Sequence, residues 1–141
     1  AGLRALEKYA VRMGGALNHR FGLYDAVLIK DNHLAAVGSI PAAVQKARAA
    51  VGKSIKVEIE VDSIEQLLEA LTTDVDVIML DNFNLDELIK AVALVGGRVA
   101  LEASGGINLQ TIRSVAETGV DFISVGLITH SAQALDIAMD F

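Results

Sequence analysis

The sequence contains no cysteine, which excludes disulfides, thiolate catalysis and cysteine-ligated zinc, and fits a reducing compartment. There is one proline, Pro41, and no low-complexity or Pro/Gly/Ser-rich stretch, so nothing marks a linker between domains. No apolar run approaches the roughly 20 residues that span a bilayer. The start has neither a basic segment nor a small-residue cleavage site. A cytoplasmic protein away from membranes is the expectation. The net charge of -6 argues against nonspecific nucleic-acid binding. It leaves room for an anionic small substrate, because an acidic chain can hold a locally basic cleft.

What is present is apolar. Hydrophobic residues make up 52% of the 141 and charged residues 21%. That balance suits elements buried on more than one side, as in α/β proteins, and supplies enough surface to offset chain entropy. An initiator Met is absent, and Ala1-Gly2 runs at once into the helix-like Leu3 to Val11. The start reads as a cut.

Periodicity alternates along the chain. A helix over about 3–13 is stopped by Gly14-Gly15. Ala26-Val27-Leu28-Ile29 is a short continuous apolar run, the pattern of a buried strand. Ser39 caps a helix with Pro41 in its first turn, running to about Val51. Ile55 to Val61 alternates as a strand, and Asp62-Ser63-Ile64-Glu65 opens a helix with Asp62 or Ser63 as cap and Glu65 closing a capping box. Three more units follow: strand 75–80 with helix 84–95, strand 99–103 with helix 108–118, and strand 122–125 with a short helix or docking segment from about Ala132. Strands alternating with helices imply a parallel sheet. Five strands against the eight of a usual closed barrel predict an incomplete (β/α) barrel, with elements missing from a single 1–141 domain.

The polar residues carry the functional clue. Lys30-Asp31-Asn32-His33, Glu58 with Glu60, Asp81-Asn82, Glu102 with Ser104-Gly105-Gly106, and Gly126 with His130 all fall late in a strand or just after it. In parallel α/β folds that rim is where active sites are built. Lys30 ends a buried strand, where an unpaired lysine is seldom structural. Asp31 or Asn32 shapes the turn, and His33 bonds a carbonyl or serves the site. Glu58 and Glu60 share a face, and two buried carboxylates need a cation or a basic partner. One resolution is Mg²⁺, with Asp81 joining one of them; the other is a structural pair with Lys30 or Lys56. Ser104-Gly105-Gly106-Ile107-Asn108 is a strand, a glycine turn and a helix start, which frees backbone N–H groups for an anion. Gly126 after the neighbouring strand supports a phosphate seat there. His130-Ser131 either touches the ligand or caps the last helix. His19-Arg20 offers a proton carrier and a planar fork for carboxylate or phosphate. Connectivity puts that loop ahead of its strand, on the wrong rim unless it folds over.

Taken in order, Asn18-His19-Arg20 with Gly22-Leu23 and Asp25, Leu28-Ile29-Lys30-Asp31-Asn32-His33, Glu58-Ile59-Glu60-Val61-Asp62, Leu80-Asp81-Asn82, Glu102-Ala103-Ser104-Gly105-Gly106-Ile107 and Ser124-Val125-Gly126 with Thr129-His130-Ser131 resemble the quinolinate phosphoribosyltransferase family over essentially the whole chain. The resemblance implies transfer of phosphoribose from phosphoribosyl pyrophosphate to quinolinate with loss of CO₂, giving nicotinate mononucleotide in NAD biosynthesis. It implies that His19, Arg20 and Lys30 hold the quinolinate carboxylates. Glu60 and Asp81 would face the ribose hydroxyls and Mg²⁺, and Lys30, Glu60 and Asp81 form the catalytic set. Ser104, Gly105, Gly106 and Gly126 would seat the 5′-phosphate, with His130 nearby. It also implies a homodimer or larger homo-oligomer. The family's Arg-Lys-Thr-Thr-Pro run, its N-terminal domain and the first barrel strand are absent, and Ala16 stands where a third glycine is common. Two other readings stay open: a molybdenum-transport accessory relative of the same fold, and a non-catalytic phosphate-binding or assembly fragment.

Overall fold

The computed structural model describes residues 2–140. Ala1 and Phe141, the ends of the expected 1–141 domain, lie outside the described residues. Helix α1 (Arg4–Met13) leads through a long loop to β1 (Val27–Ile29), α2 (Asp31–Val37) and α3 (Ile40–Val51). Then come β2 (Val57–Val61), α4 (Ile64–Ala70), β3 (Val77–Asp81), α5 (Leu85–Val95), β4 (Ala100–Ser104), α6 (Ile112–Glu117), β5 (Phe122–Ile123) and α7 (Leu127–His130). The strands lie in the order β1-β2-β3-β4-β5, every pair parallel. Parallel neighbours need a crossover, and the intervening helices supply it. β1 pairs only with β2 and β5 only with β4, so the described sheet stays open. The expected α/β fold with an incomplete barrel is what forms.

Strand alternation sorts the side chains into two faces. On one, Val57, Ile59, Val61, Ile78, Leu80, Leu101 and Ala103 join helix residues such as Val44, Leu67, Leu88, Ala91 and Val115 in one core. Fully burying an aliphatic side chain of this kind contributes roughly 1.5–3 kcal/mol. The register puts Glu60 beside Met79 and Met79 beside Glu102, so the opposite face carries Glu58, Glu60, Met79, Asp81, Glu102 and Ser104. An apolar outer face under helices and a charged inner face is the division a barrel interior with a site requires.

The two ends of the sheet use acids differently. At the N-terminal end, Asp76 accepts from the Val57 N–H (2.7 Å) and Asp121 from the Leu101 N–H (2.8 Å). Each sits just ahead of one strand and bonds the start of its neighbour. Arg48, largely buried, donates to Asp76 (2.5 Å) and to the carbonyls of Ile55 (2.9 Å) and Asp74 (2.8 Å). These groups spend their charge on structure. The C-terminal end is left for chemistry.

Several local expectations are corrected. Asp31 and Asn32, expected to shape a turn, instead open helix α2 (Asp31–Val37). Lys30 is extended at its N-cap, and His33 Nδ1 accepts the Lys30 N–H (2.9 Å) instead of donating to a carbonyl. The capping box expected of Asp62 and Glu65 is replaced by Gln66 Oε1 accepting the Asp62 N–H (3.1 Å). Helix α6 begins at Ile112, not Asn108, because the Asn108 side chain folds back to accept from the N–H groups of Gln110 (2.9 Å) and Thr111 (3.3 Å). That competes with helix for the same donors. β5 is only two residues long, and the helix expected from Ala132 is instead α7, ahead of it.

Candidate active site

The inner face and the C-terminal strand ends gather the candidate residues into three groups. The first is a pair at the ends of β1 and β2: Lys30 Nζ donates to Glu60 Oε2 at 2.6 Å. The side chains are 44% and 16% exposed, so the pair is reachable from solvent. Lys30 is thus paired as well as rim-placed, and Lys56 takes no part.

The second group is the turn after β4 and its neighbour after β3. The Asn82 N–H donates to the Ser104 carbonyl (2.9 Å), and its side-chain amide donates to Asp81 Oδ2 (2.8 Å). Asn82 has φ +57, unusual for a residue with a Cβ, though Asn tolerates it better than most. Gly105 has φ +94, and a Cβ there would stand 2.2 Å from Asn82 Oδ1. Only glycine lets these two turns touch. The Ser104-Gly105-Gly106 turn therefore lies directly against Asp81-Asn82. Ser124 follows β5 with its N–H bonded to the Ala103 carbonyl (2.9 Å), which puts Gly126 on the adjoining strand end. The His130 ring packs over Gly126 and shares a hydrogen bond with Ser131 Oγ (2.7 Å). A cleft of about 630 Å³ also opens beside this turn, on the helix side, between the start of α5 and the Gly105-Gly106 segment.

The third group lies deeper. The loop before β1 does fold over the inner face: His19 Nε2 meets Glu58 Oε2 at 3.0 Å. Helix α1, none of whose residues is buried, holds this loop in place. Lys8 Nζ donates to the carbonyls of His19 (2.8 Å) and Arg20 (3.0 Å), and Asn18 returns a bond to the Lys8 carbonyl (2.9 Å). Asp25 closes the loop by accepting from the N–H groups of Phe21 and Gly22, which keeps its carboxyl below the ordinary value. Arg20 is partly buried beside His19.

Glu58 and Glu102 are 8% and 6% exposed, and Ser124 Oγ donates to Glu102. They sit in mid-strand, not at the rim where their late positions suggested. The hydrogen bond to Glu58, with the charges of Glu58 and Glu102, holds His19 above the usual histidine value against burial and Arg20. Burial pushes the Glu102 carboxyl up, helped by the Glu58 charge and opposed by Ser124 and His19. The sequence places Asn82 and Glu102 among the strand-end polar residues but gives neither a role, and it gives Ser124 none. The available signal was an acid and a hydroxyl at inner-face positions of neighbouring strands.

Mg²⁺ requires hard oxygen donors with room for water or substrate oxygens. Glu60 and Asp81 lie on the same face of adjacent strands. Among the described residues each has one carboxylate oxygen engaged, by Lys30 and Asn82, and one without a protein partner. That donor set fits the ion. His19, Glu58 and Glu102 also present ligand-type atoms within 4.8 Å of one another. Among the described residues no helix is long and apolar enough to cross a membrane.

Residues 1–140 match the family described as quinolinate phosphoribosyl transferase, C-terminal domain. The chain is 52% identical over 139 residues to a probable nicotinate-nucleotide pyrophosphorylase [carboxylating] of Bacillus subtilis, covering 99% of this chain and 48% of that protein. It is 49% identical over 142 residues to the nicotinate-nucleotide pyrophosphorylase [carboxylating] of Mycobacterium leprae, covering 99% of this chain and 50% of that one. Among solved structures, NadC from Streptococcus pyogenes superposes with a TM-score of 0.93 at 46% identity, over 99% of this chain and 49% of that chain. The chain thus spans about half the length of the relatives it matches. A thiamine phosphate pyrophosphorylase from Pyrococcus furiosus shares the fold at a TM-score of 0.60 and 24% identity.

Proposed function

This chain belongs to the quinolinate phosphoribosyl transferase family, C-terminal domain, and from that premise we propose that it is the catalytic part of a carboxylating nicotinate-nucleotide pyrophosphorylase. The reaction joins quinolinate to phosphoribosyl pyrophosphate and releases pyrophosphate and CO₂. The observation that carries this reading is the Lys30–Glu60 pair, set on the inner face beside Asp81 and the Ser104-Gly105-Gly106 turn. The inner face and its C-terminal edge thereby offer a cation for a substrate carboxylate, carboxylates for a sugar and a glycine turn for a phosphate.

His19, Arg20 and Lys30 bind the two carboxylates of quinolinate and orient its ring nitrogen toward the sugar. Arg20 does so with a planar fork and Lys30 as a point charge. Ser104, Gly105, Gly106 and Gly126 hold the 5′-phosphate through hydroxyl and backbone N–H groups, with His130 against Gly126 beside them. Glu60 and Asp81 bind the ribose hydroxyls and would hold Mg²⁺, which when bound offsets the charge of the leaving pyrophosphate. As the bond from C1′ to pyrophosphate breaks, C1′ turns cation-like, and the carboxylates of Glu60 and Asp81 favour that charge. For unit charges about 4 Å apart at an effective dielectric of about 20, the attraction is about 4 kcal/mol before desolvation. The pyridine nitrogen bonds C1′, the 2-carboxylate leaves as CO₂, and the electron pair left on C2 takes a proton. Lys30 and Arg20 offset the negative charge that builds on the ring.

A homodimer or larger homo-oligomer is the assembly the family resemblance implies. The test is nicotinate mononucleotide formation by the full-length protein from quinolinate, phosphoribosyl pyrophosphate and Mg²⁺. Product is expected, and its absence overturns the assignment. Binding of quinolinate by the same protein separates this reading from a molybdenum-transport relative.

A further inference from the structure

The roles above leave Glu58 without one, yet it is among the costliest side chains in the fold. It is 8% exposed, and a carboxylate that deep needs a compensating partner. Among the described residues its Oε1 has no hydrogen-bond partner. Its Oε2 meets His19 Nε2 at 3.0 Å, the one basic group paired with it among the described residues. With His19 as the donor, the proton of this bond lies on Nε2. That leaves Nδ1 for a ligand, and Nδ1 has no protein partner among the described residues.

The charge of the ring then decides what Nδ1 can do. In a neutral ring protonated at Nε2, Nδ1 is a bare acceptor and repels an anionic carboxylate. In the imidazolium it is a donor. The charged groups acting on His19 are Glu58 from β2, Glu102 from β4 and Arg20 from its own loop; the two acids favour the imidazolium and Arg20 opposes it. Glu102 is itself fixed by the Ser124 hydroxyl. Lys8 pins the loop backbone on the other side, so the ring is held from both directions.

We propose that Glu58 is a positioning residue for acceptor recognition, holding His19 as an imidazolium whose Nδ1–H meets a carboxylate of the pyridine dicarboxylate. This rests on the reading of His19 as a carboxylate ligand given above. It assigns the deep acid to substrate charge, not to fold stability.

The test compares the full-length protein with its Glu58→Gln and Glu58→Asp variants. In Glu58→Gln the KM for quinolinate rises by about tenfold or more, the scale of a lost charge-assisted hydrogen bond, while the KM for phosphoribosyl pyrophosphate stays within about twofold. Glu58→Asp, which keeps the charge and loses reach, lies between and carries the test if the Gln variant fails to fold. The quinolinate defect shrinks as pH is lowered, because acid charges the ring without Glu58. In parallel, ¹⁵N signals of the His19 ring titrate at lower pH in Glu58→Gln than in the parent. Equal quinolinate KM at every pH, or a loss spread evenly over both substrates and kcat, overturns the inference. So does stoichiometric Zn²⁺ or Mn²⁺ binding by the metal alone that disappears in Glu58→Gln, which makes His19, Glu58 and Glu102 a cation site. A parent protein that makes no product sinks the functional reading, while the ring titration still decides whether Glu58 charges His19.

Discussion

Substituting Gly105 by alanine separates two costs that a glycine turn usually confounds. Gly105 has φ +94, and an added Cβ would lie 2.2 Å from Asn82 Oδ1, 2.6 Å from its Cγ and 2.9 Å from its backbone nitrogen. The Asn82 amide can rotate away from Asp81. Its backbone nitrogen cannot, because it is bonded to the Ser104 carbonyl at 2.9 Å in a residue already at φ +57. The left-handed conformation costs a residue with a Cβ roughly 1–2 kcal/mol. The unrelieved overlap adds roughly 1–3 kcal/mol. Gly105→Ala should therefore destabilise by about 3 kcal/mol. Gly106 is the internal control: at φ +61 it has nothing within 4 Å of an added Cβ, so Gly106→Ala should cost only about 1 kcal/mol. Urea denaturation of the two variants, with slopes unchanged, reads the difference directly. The same shift pushes the Ser104-Gly105 turn off Asp81-Asn82, so phosphoribosyl pyrophosphate should bind Gly105→Ala about tenfold or more weakly, as for the loss of about 1.4 kcal/mol. Equal midpoint shifts for the two variants, or a neutral Gly105→Ala, would refute the argument that these turns touch through a missing side chain.

Lys30→Ala should lower product formation by about two orders of magnitude or more, measured by chromatography of nicotinate mononucleotide, and shift stability by no more than about 1 kcal/mol, because a partly exposed pair stabilises little. Arg48→Met should do the reverse. Loss of its bonds to Asp76 and to the carbonyls of Ile55 and Asp74 should cost about 2 kcal/mol in denaturant melts and leave quinolinate affinity unchanged. His19 and Glu102 are both raised in the fold, so each binds more protons folded than unfolded just above its ordinary titration range. Stability should fall as pH rises through those windows, and the double variant His19→Gln, Glu102→Gln should flatten the profile. Burial pushes Asp76 up, but the Val57 N–H and Arg48 outweigh it and hold it low; its contribution should be lost instead as pH falls below the ordinary carboxylate range.

Much of the architecture was legible because the strands are short apolar runs and most helices carry their stops in the sequence. Ser39, Asn84 and the glycines after α3 and α5 mark their elements through local hydrogen bonds and backbone freedom, so spacing alone finds them. The inner face was legible through period two: Glu58 and Glu60 had to share a side. What spacing could not supply was depth or partnership. Glu58 pairs with a histidine 39 positions earlier, in a loop that Lys8 ties to α1 through the His19 and Arg20 carbonyls. Glu102 binds a serine 22 positions later. Helix α2 was missed because Asp31-Asn32 suits a turn as well as a helix start, and its first N–H is satisfied by His33, an uncommon choice. The Asn108 side chain shortened α6 for a related reason: its local bonds compete with the helix it was expected to open.

The most direct measurement is release of labelled CO₂ from quinolinate carrying ¹⁴C in its 2-carboxylate, by the full-length protein with Mg²⁺. The account predicts release that requires phosphoribosyl pyrophosphate, matches nicotinate mononucleotide mole for mole and collapses in Lys30→Ala. Release without the sugar donor, undiminished release in Lys30→Ala, or none with both substrates present, contradicts it.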